Sequence, residues 1–353
     1  MIIFDRNMLF GNFYITLSIN KPTNNVYNMA ITNSYEVIIQ NTHSGALPQA
    51  LRFKRFLFNE PKHIMSQDCD EIHHFYLLNK TNDCVDAQFN LFVKEQSGIS
   101  PAKAPFGSIK FFHGLEREVL CNFIQQILAF AQQLNLVSIQ ITSYPDCYEP
   151  QQANLLRECL IAEGFDIVYA EINQHVPVSK QPFDTRLHLS AQRRLKKCKK
   201  ADFIFEEVKK PDFEEIHQLI VMARQRKNFP ISLKLDELKK LFEDFPEEFK
   251  LFAVKDQETV IAACIGVIVR ESEQDNKGIL YYFMPADHSD YLTSSPTTML
   301  VDGLYQYCQQ NGFVLLDLGI STSKGIPNEG LIRFKHNLGA VDSHKFSFCK
   351  RLV

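Results

Sequence analysis

A chain of 353 residues is long for a single hydrophobic core, and two domains of about 150 to 180 residues fit the usual domain size. With 45% hydrophobic residues, 22% charged residues and a formal charge of −3, the composition is that of an ordinary globular protein and gives no ground for DNA binding or a charged membrane surface. No apolar run approaches the roughly 18 residues of a membrane span. The nine cysteines between Cys69 and Cys349 are scattered singly, without Cys-x-x-Cys or zinc-ligand spacing. With no basic region leading into an apolar core at Met1–Arg6, a cytoplasmic protein with reduced thiols and no metal is expected.

Residues 1–60 are β-leaning and turn-rich and receive no assignment. Ile72 to Leu78 and Val85 to Lys94 read as a strand pair joined by the polar turn Asn79 to Asp83, and Phe106 to Phe112 as a third strand. Leu115 to Asn135 is a helix, because Leu120, Phe123, Ile124, Ile127, Leu128 and Ala131 recur at three- and four-residue spacing. A strand at Val137 to Thr142, a helix at Gln151 to Glu163 and a strand at Phe165 to Val176 follow. Pro177 to Pro182 is a linker, since its prolines cannot support a helix. It divides the chain into domains at 1–180 and 183–353.

The second half opens with a basic helix at Ser190 to Lys200 and a strand at Phe203 to Val208. Helices are expected at Asp212 to Lys227 and at Leu235 to Phe245, the second capped by Ser232. Strands follow at Phe249 to Lys255, Val260 to Arg270 and Gly278 to Met284. A helix from Ser295 to Gln310, a strand Phe313 to Ile320, a helix Asn328 to Leu338 and a strand Ser343 to Leu352 complete the chain.

The order repeats. Gln132-Gln133 closes one amphipathic helix and Gln309-Gln310 another, 177 positions later, and the strands near Ile72 and Phe165 have counterparts near Phe249 and Asp342 at the same offset. A constant offset over so much chain predicts a duplicated unit. Each unit would be a mixed, mostly antiparallel sheet flanked by helices, with function in the cleft between the two.

This doubled strand order resembles the tandem GNAT-type acyltransferase fold of the FemABX peptidyltransferases, which add amino acids to peptidoglycan precursors. Ser100-Pro101-Ala102-Lys103-Ala104-Pro105-Phe106-Gly107 is similar to the entrance to the central strand in Fem-like proteins. Leu189 to Lys200 is similar to the basic helix opening their second domain. Asp317-Leu318-Gly319 and Gly330 to Gly339, with Phe334-Lys335, are similar to their C-terminal signatures. The resemblance runs from about residue 60 to the C-terminus. Neither half carries the Gln/Arg-x-x-Gly-x-Gly/Ala loop by which acetyl-CoA enzymes hold pyrophosphate. Phe112 to Leu115 and Asp290 to Thr298 stand in its place.

The resemblance implies transfer of an acyl or aminoacyl group to an amine, on a small molecule or a peptide. The donor would be aminoacyl-tRNA, with tRNA then a partner, or acyl-CoA. It also implies that Lys335 faces the cleft and offsets negative charge on the donor or the tetrahedral intermediate; the plain alternative is a solvated lysine. Asp317 ends an apolar strand, where burial would raise its pKa and suit it to act as a base, or it hydrogen-bonds a loop such as Ser321 to Gly325. Of Tyr281 and Tyr282, on opposite faces of one strand, Tyr282 is placed in the pocket. Ser294, Ser295, Thr297 and Thr298 surround Pro296 at a helix start, where free amides attract phosphate or simply take a hydroxyl cap. Arg193, Arg194 and Lys197 head a basic face that would meet substrate phosphates or be solvated. Two other readings stay open: an acetyl-CoA N-acetyltransferase with an irregular loop, and a catalytically degenerate pair that binds a ligand or a partner.

Overall fold

Hydrophobic alternation and turn chemistry place most strands where expected, and the fold follows from how they pair. The computed structural model describes residues 25–30, 34–41, 48–67, 69, 71–231, 233–270 and 278–352. The first half contains β1 Asn25–Ala30, β2 Tyr35–Asn41, α1 Pro61–Met65, β3 Glu71–Asn79, β4 Cys84–Lys94, β5 Ser97–Ser100, β6 Lys110–Phe111, α2 Arg117–Gln133, β7 Ser138–Thr142, α3 Pro150–Ala162 and β8 Asp166–Pro177. The second contains α4 Leu189–Lys200, β9 Ile204–Glu207, α5 Phe213–Arg226, α6 Leu235–Asp244, β10 Phe249–Asp256, β11 Thr259–Arg270, β12 Gly278–Asp287, α7 Pro296–Gln310 and β13 Phe313–Ile320. The small hairpin β14 Thr322–Ser323 and β15 Ile326–Pro327, then α8 Glu329–Asn337 and β16 Val341–Arg351, complete it.

Moved forward by 177 positions, β3, β4, α2, β7, α3 and β8 land within about three residues of β10, β11, α7, β13, α8 and β16. The strand expected at Phe106 to Phe112 departs from this. Only Lys110 and Phe111 pair with β4, and the strand that joins β7 in parallel is Ser97–Ser100. Pro101 and Pro105 have no amide to offer a neighbour, and Ser108 sits at φ 77, so the segment between runs as a loop. The expected cap Ser232 lies outside the described residues. At the start of α6 the Lys234 amide donates to the Glu237 carboxylate at 2.8 Å.

Among the described residues fourteen strands form one sheet, in the order β1-β2-β3-β4-β5-β7-β16-β8-β13-β12-β11-β10-β9, with β6 on β4. The two halves exchange their last strands. Strand β16 pairs with β7 of the first half and β8 with β13 of the second, and β8 and β16 pair with each other from Val341↔His175 to Cys349↔Asp166. Phe348, three residues from the end of β16, is therefore packed in the first half's core with Phe123, Ile127 and Leu156. A second core lies between the halves, and a third lies under α4 and α7. Glu149, just before α3, binds Lys110 of its own half and Arg270 of the other at 2.8 Å, with the Phe56 ring near both cations.

Exchanged strands should couple the halves. Phe348→Ala is expected to cost about 3 to 5 kcal/mol, and urea unfolding of wild type and variant should follow a single transition by tryptophan-free probes such as circular dichroism and tyrosine fluorescence. Two separated transitions would contradict the coupling.

Candidate active site

The site lies where two parallel strands part. β12 and β13 pair from Gly278↔Phe313 to Tyr281↔Asp317. Beyond that point β13 keeps its pairing with β8, which runs from Leu315↔Pro177 to Ile320↔Asn173, while β12 continues along β11 with a register break and Met284 at φ 48. The main-chain groups of β12 after Tyr281 that face β13 thus have no strand partner there. Beside the parting is a cavity of about 960 Å³. Phe58, Phe106 and Tyr148 line it from the first half, and Phe245, Phe249, Tyr281 and Phe283 from the second. Asn173, Asp317, Gly319 and Lys345 form a polar group at the strand ends.

Asp317 is 1% exposed, and an ionised carboxylate so placed needs donors. It has three: Tyr148 Oη donates to Oδ2 at 2.6 Å, while Asn173 Nδ2 and the Gly319 amide each donate to Oδ1 at 2.8 Å. Tyr148 and Asn173 belong to the first half, so one carboxylate ties both halves to the turn. With both oxygens engaged it positions the turn and is badly placed to take a proton. The partner is Gly319 of its own turn and not the loop Ser321 to Gly325. Burial and the Asp317 charge hold the Tyr148 phenol far above its ordinary range.

Lys335 is buried, at 4% exposure, which excludes a solvated lysine. Its Nζ donates to Gly319 O at 2.8 Å and Ile320 O at 3.0 Å. It stands behind the turn whose amide Asp317 holds, and it does not line the cavity. Burial pushes it down to about 7, with Asp317 opposing. Gly319 itself sits at φ +75, and a Cβ there would meet the Tyr281 ring at 3.2 Å. At the cavity mouth His63 lies near Phe58 and Phe245, and burial pushes it down to about 4, so its ring is neutral at pH 7. Lys103 of the first half bridges the mouth to Glu237 of the second at 2.6 Å.

The remaining candidates fall elsewhere. Tyr282 is in the third core with Leu300 and Leu304, on the strand face away from the cavity, and its neighbour Tyr281 is the tyrosine that lines it. Ser294, Ser295, Thr297 and Thr298 do start α7, but Ser295, at φ 54, makes no side-chain cap, and Thr298 is fully buried. Arg193, Arg194 and Lys197 are exposed on α4. Lys197 donates to Thr293 O at 3.0 Å and Cys198 to Ser294 O at 3.1 Å, so the basic helix and the α7 start are neighbours. Both pack on the face of β12 that carries Tyr282. The cavity residues missed from sequence are Tyr148, Asn173, Lys345, His63 and the aromatic walls.

No family model matches the chain, and no curated protein matches it in sequence. Among solved structures, FemX superposes with a TM-score of 0.62 at 12% identity, over 88% of this chain and 94% of that one. A conserved protein of unknown function from Bacteroides thetaiotaomicron gives 0.50 at 12% identity, over 79% and 86%. A tandem GNAT protein from the clavulanic acid biosynthesis pathway gives 0.47 at 10% identity, over 80% and 83%. The chain has a GNAT-type, FemABX-like fold, mixed α/β with one large, mostly antiparallel sheet flanked by helices. Among the described residues no helix is long and apolar enough to cross a membrane.

Burial of Lys335 carries a pH signature. Unfolded, the amine holds its proton up to about pH 10.4; folded, only up to about 7. Between those values the unfolded chain binds more protons, so stability rises with pH, and the cost of burying the charge is complete only below 7. Lys345, pushed down to about 8, acts in the same direction. Urea unfolding from pH 6 to 10 should show a steeper gain for wild type than for Lys335→Met; parallel curves would mean that Lys335 stays charged.

Proposed function

We propose that the protein is an acyl- or aminoacyltransferase that joins an acyl group to an amine inside the cavity between its halves. The observation that carries this reading is the parting of β12 from β13 beside that cavity. It leaves main-chain donors unpaired at one end of an aromatic-walled space, next to Asp317, Gly319 and Lys345. Such a place suits the developing oxyanion of acyl transfer, because preorganised donors act strongly where water is excluded. The acceptor amine would attack the acyl carbon, the amides of β12 would hold the oxyanion, and the leaving oxygen or sulfur would depart with a proton.

In this reading Lys335 and Asp317 are positioning residues that fix the Gly319 turn from either side, and Tyr281 takes the place in the pocket first given to Tyr282. Ser294, Ser295, Thr297 and Thr298, with Arg193, Arg194 and Lys197, would receive the phosphates of a donor whose acyl end reaches through the strand opening. Residues 1–180 and 183–353 are proposed as the two domains. Aminoacyl-tRNA is the preferred donor and acyl-CoA the second, since neither half has the glycine-rich pyrophosphate loop.

Acetyl-CoA and alanyl-tRNA, each titrated into the protein, should separate the donors by thermal shift. A donor at 100 times its dissociation constant adds about 2.7 kcal/mol to stability. Gly319→Ala forces a left-handed residue that costs about 1 to 2 kcal/mol, and it should lower transfer at least tenfold. No shift with either donor would overturn the reading.

A further inference from the structure

Three lysines line the cavity, Lys103, Lys240 and Lys345, and of these Lys345 is grouped with Asn173, Asp317 and Gly319 at the strand ends. Lys345 is half-buried, lines the cavity, and makes no hydrogen bond or ion pair among the described residues. That is unexpected from the pairing, because its cross-strand neighbour is Glu171, directly opposite on β8. Glu171 is turned elsewhere: its Oε2 accepts from Thr322 Oγ1 and from the Gly325 amide at 3.3 Å. The other nearby carboxylate, Asp317 of β13, has both oxygens engaged by Tyr148, Asn173 and Gly319. The other titratable groups beside Asp317 are the Tyr148 and Tyr281 phenols and the Cys147 thiol, all pushed up by burial and so neutral at pH 7, and His175, which burial pushes down. Lys345 is thus an amine facing open space, with no carboxylate bound to it.

We propose that Lys345 is the proton-transferring catalytic residue of the cavity. The inference rests on the transferase reading and supplies the base that Asp317, with a donor on each oxygen and three in all, is badly placed to be. As the acceptor nitrogen bonds to the acyl carbon, the neutral Nζ takes its proton. As the bond from that carbon to the leaving oxygen or sulfur breaks, the same proton passes to the leaving group. The amine is restored, and one amide and one alcohol or thiol are formed from one ester or thioester and one amine. Burial in the aromatic-walled cavity pushes Lys345 down to about 8, with Asp317 and Glu171 opposing, which puts the neutral form within reach at physiological pH. Lys335, by contrast, is spent on two carbonyls behind the turn.

One arm of the test needs no substrate. The intact protein is treated with p-nitrophenyl acetate across pH 6 to 11 and acetylation is mapped by peptide mass spectrometry. Lys345 should be modified half-maximally near pH 8, well before the exposed Lys196 and Lys200 of α4. Protection throughout, or a profile matching those lysines, overturns the proposal. The second arm uses acetyl-CoA or alanyl-tRNA as donor and reads kcat and KM separately. Lys345→Met should lower kcat at least 100-fold, leave KM within about threefold, and abolish the inflection near pH 8. Lys345→Arg, which keeps the charge but cannot release a proton, should not restore the rate; restoration would overturn a proton-transfer role. If wild-type protein consumes neither donor, the transferase reading falls and the catalytic role of Lys345 with it, whatever the acetylation profile.

Discussion

The structure depends on one pairing, the antiparallel contact of β8 with β16 at the centre of the sheet. Each strand closes one half by sequence and extends the other by hydrogen bonding. Neither sheet has a complete set of strands without its partner, and an unpaired edge of this length would expose a row of amides and carbonyls. The exchange also fixes the geometry of the cavity. It holds β16, with Lys345, between β7 and β8, and it brings Asn173 of β8 to within 2.8 Å of Asp317.

Asp317 shows what that arrangement permits. A carboxylate at 1% exposure is tolerable only if its oxygens are hydrogen-bonded, and two of its three donors come from the first half. The third is the amide of Gly319, whose carbonyl is held in turn by Lys335. A five-member network of Asp317, Tyr148, Asn173, Gly319 and Lys335 thus spans the junction and presents a glycine turn to the cavity. Removing any member leaves a buried polar group alone, which usually costs about 1 to 3 kcal/mol.

Much of this was legible in sequence, for physical reasons that also set the limit. Period-3.6 burial marked α2 to within two residues at either end, and the strand Phe313 to Ile320 was read at its observed bounds, because apolar patterning is local. The offset between Gln132 and Gln309 carried the tandem order. Strand exchange is a long-range choice that no local pattern encodes. The tyrosine assignment failed by one residue: alternation says that Tyr281 and Tyr282 face opposite ways, and only the packing of α7 decides which face is core. Lys345 sits in His344-Lys345-Phe346, an ordinary half-exposed strand sequence. Its one signal is the cross-strand Glu171, visible only once β8 and β16 are known to pair. The second half's Lys335 was legible through its motif, but the motif does not say which way the amine points.

The same burial that weakens the fold equips the cavity. Phe58, Phe106, Phe245, Phe249 and Phe283 exclude water from its walls, and the loss of hydration is the largest influence lowering both Lys335 and Lys345. Asp317 opposes the shift at both amines, yet its charge is already shared among three donors. One carboxylate so engaged gives each lysine less than a full counter-ion. A more polar wall would stabilise the folded chain at pH 7 and raise both lysines back toward their ordinary range. The aromatic lining therefore lowers both amines at a cost in stability, and the exchanged strands supply the cohesion that makes the cost tolerable.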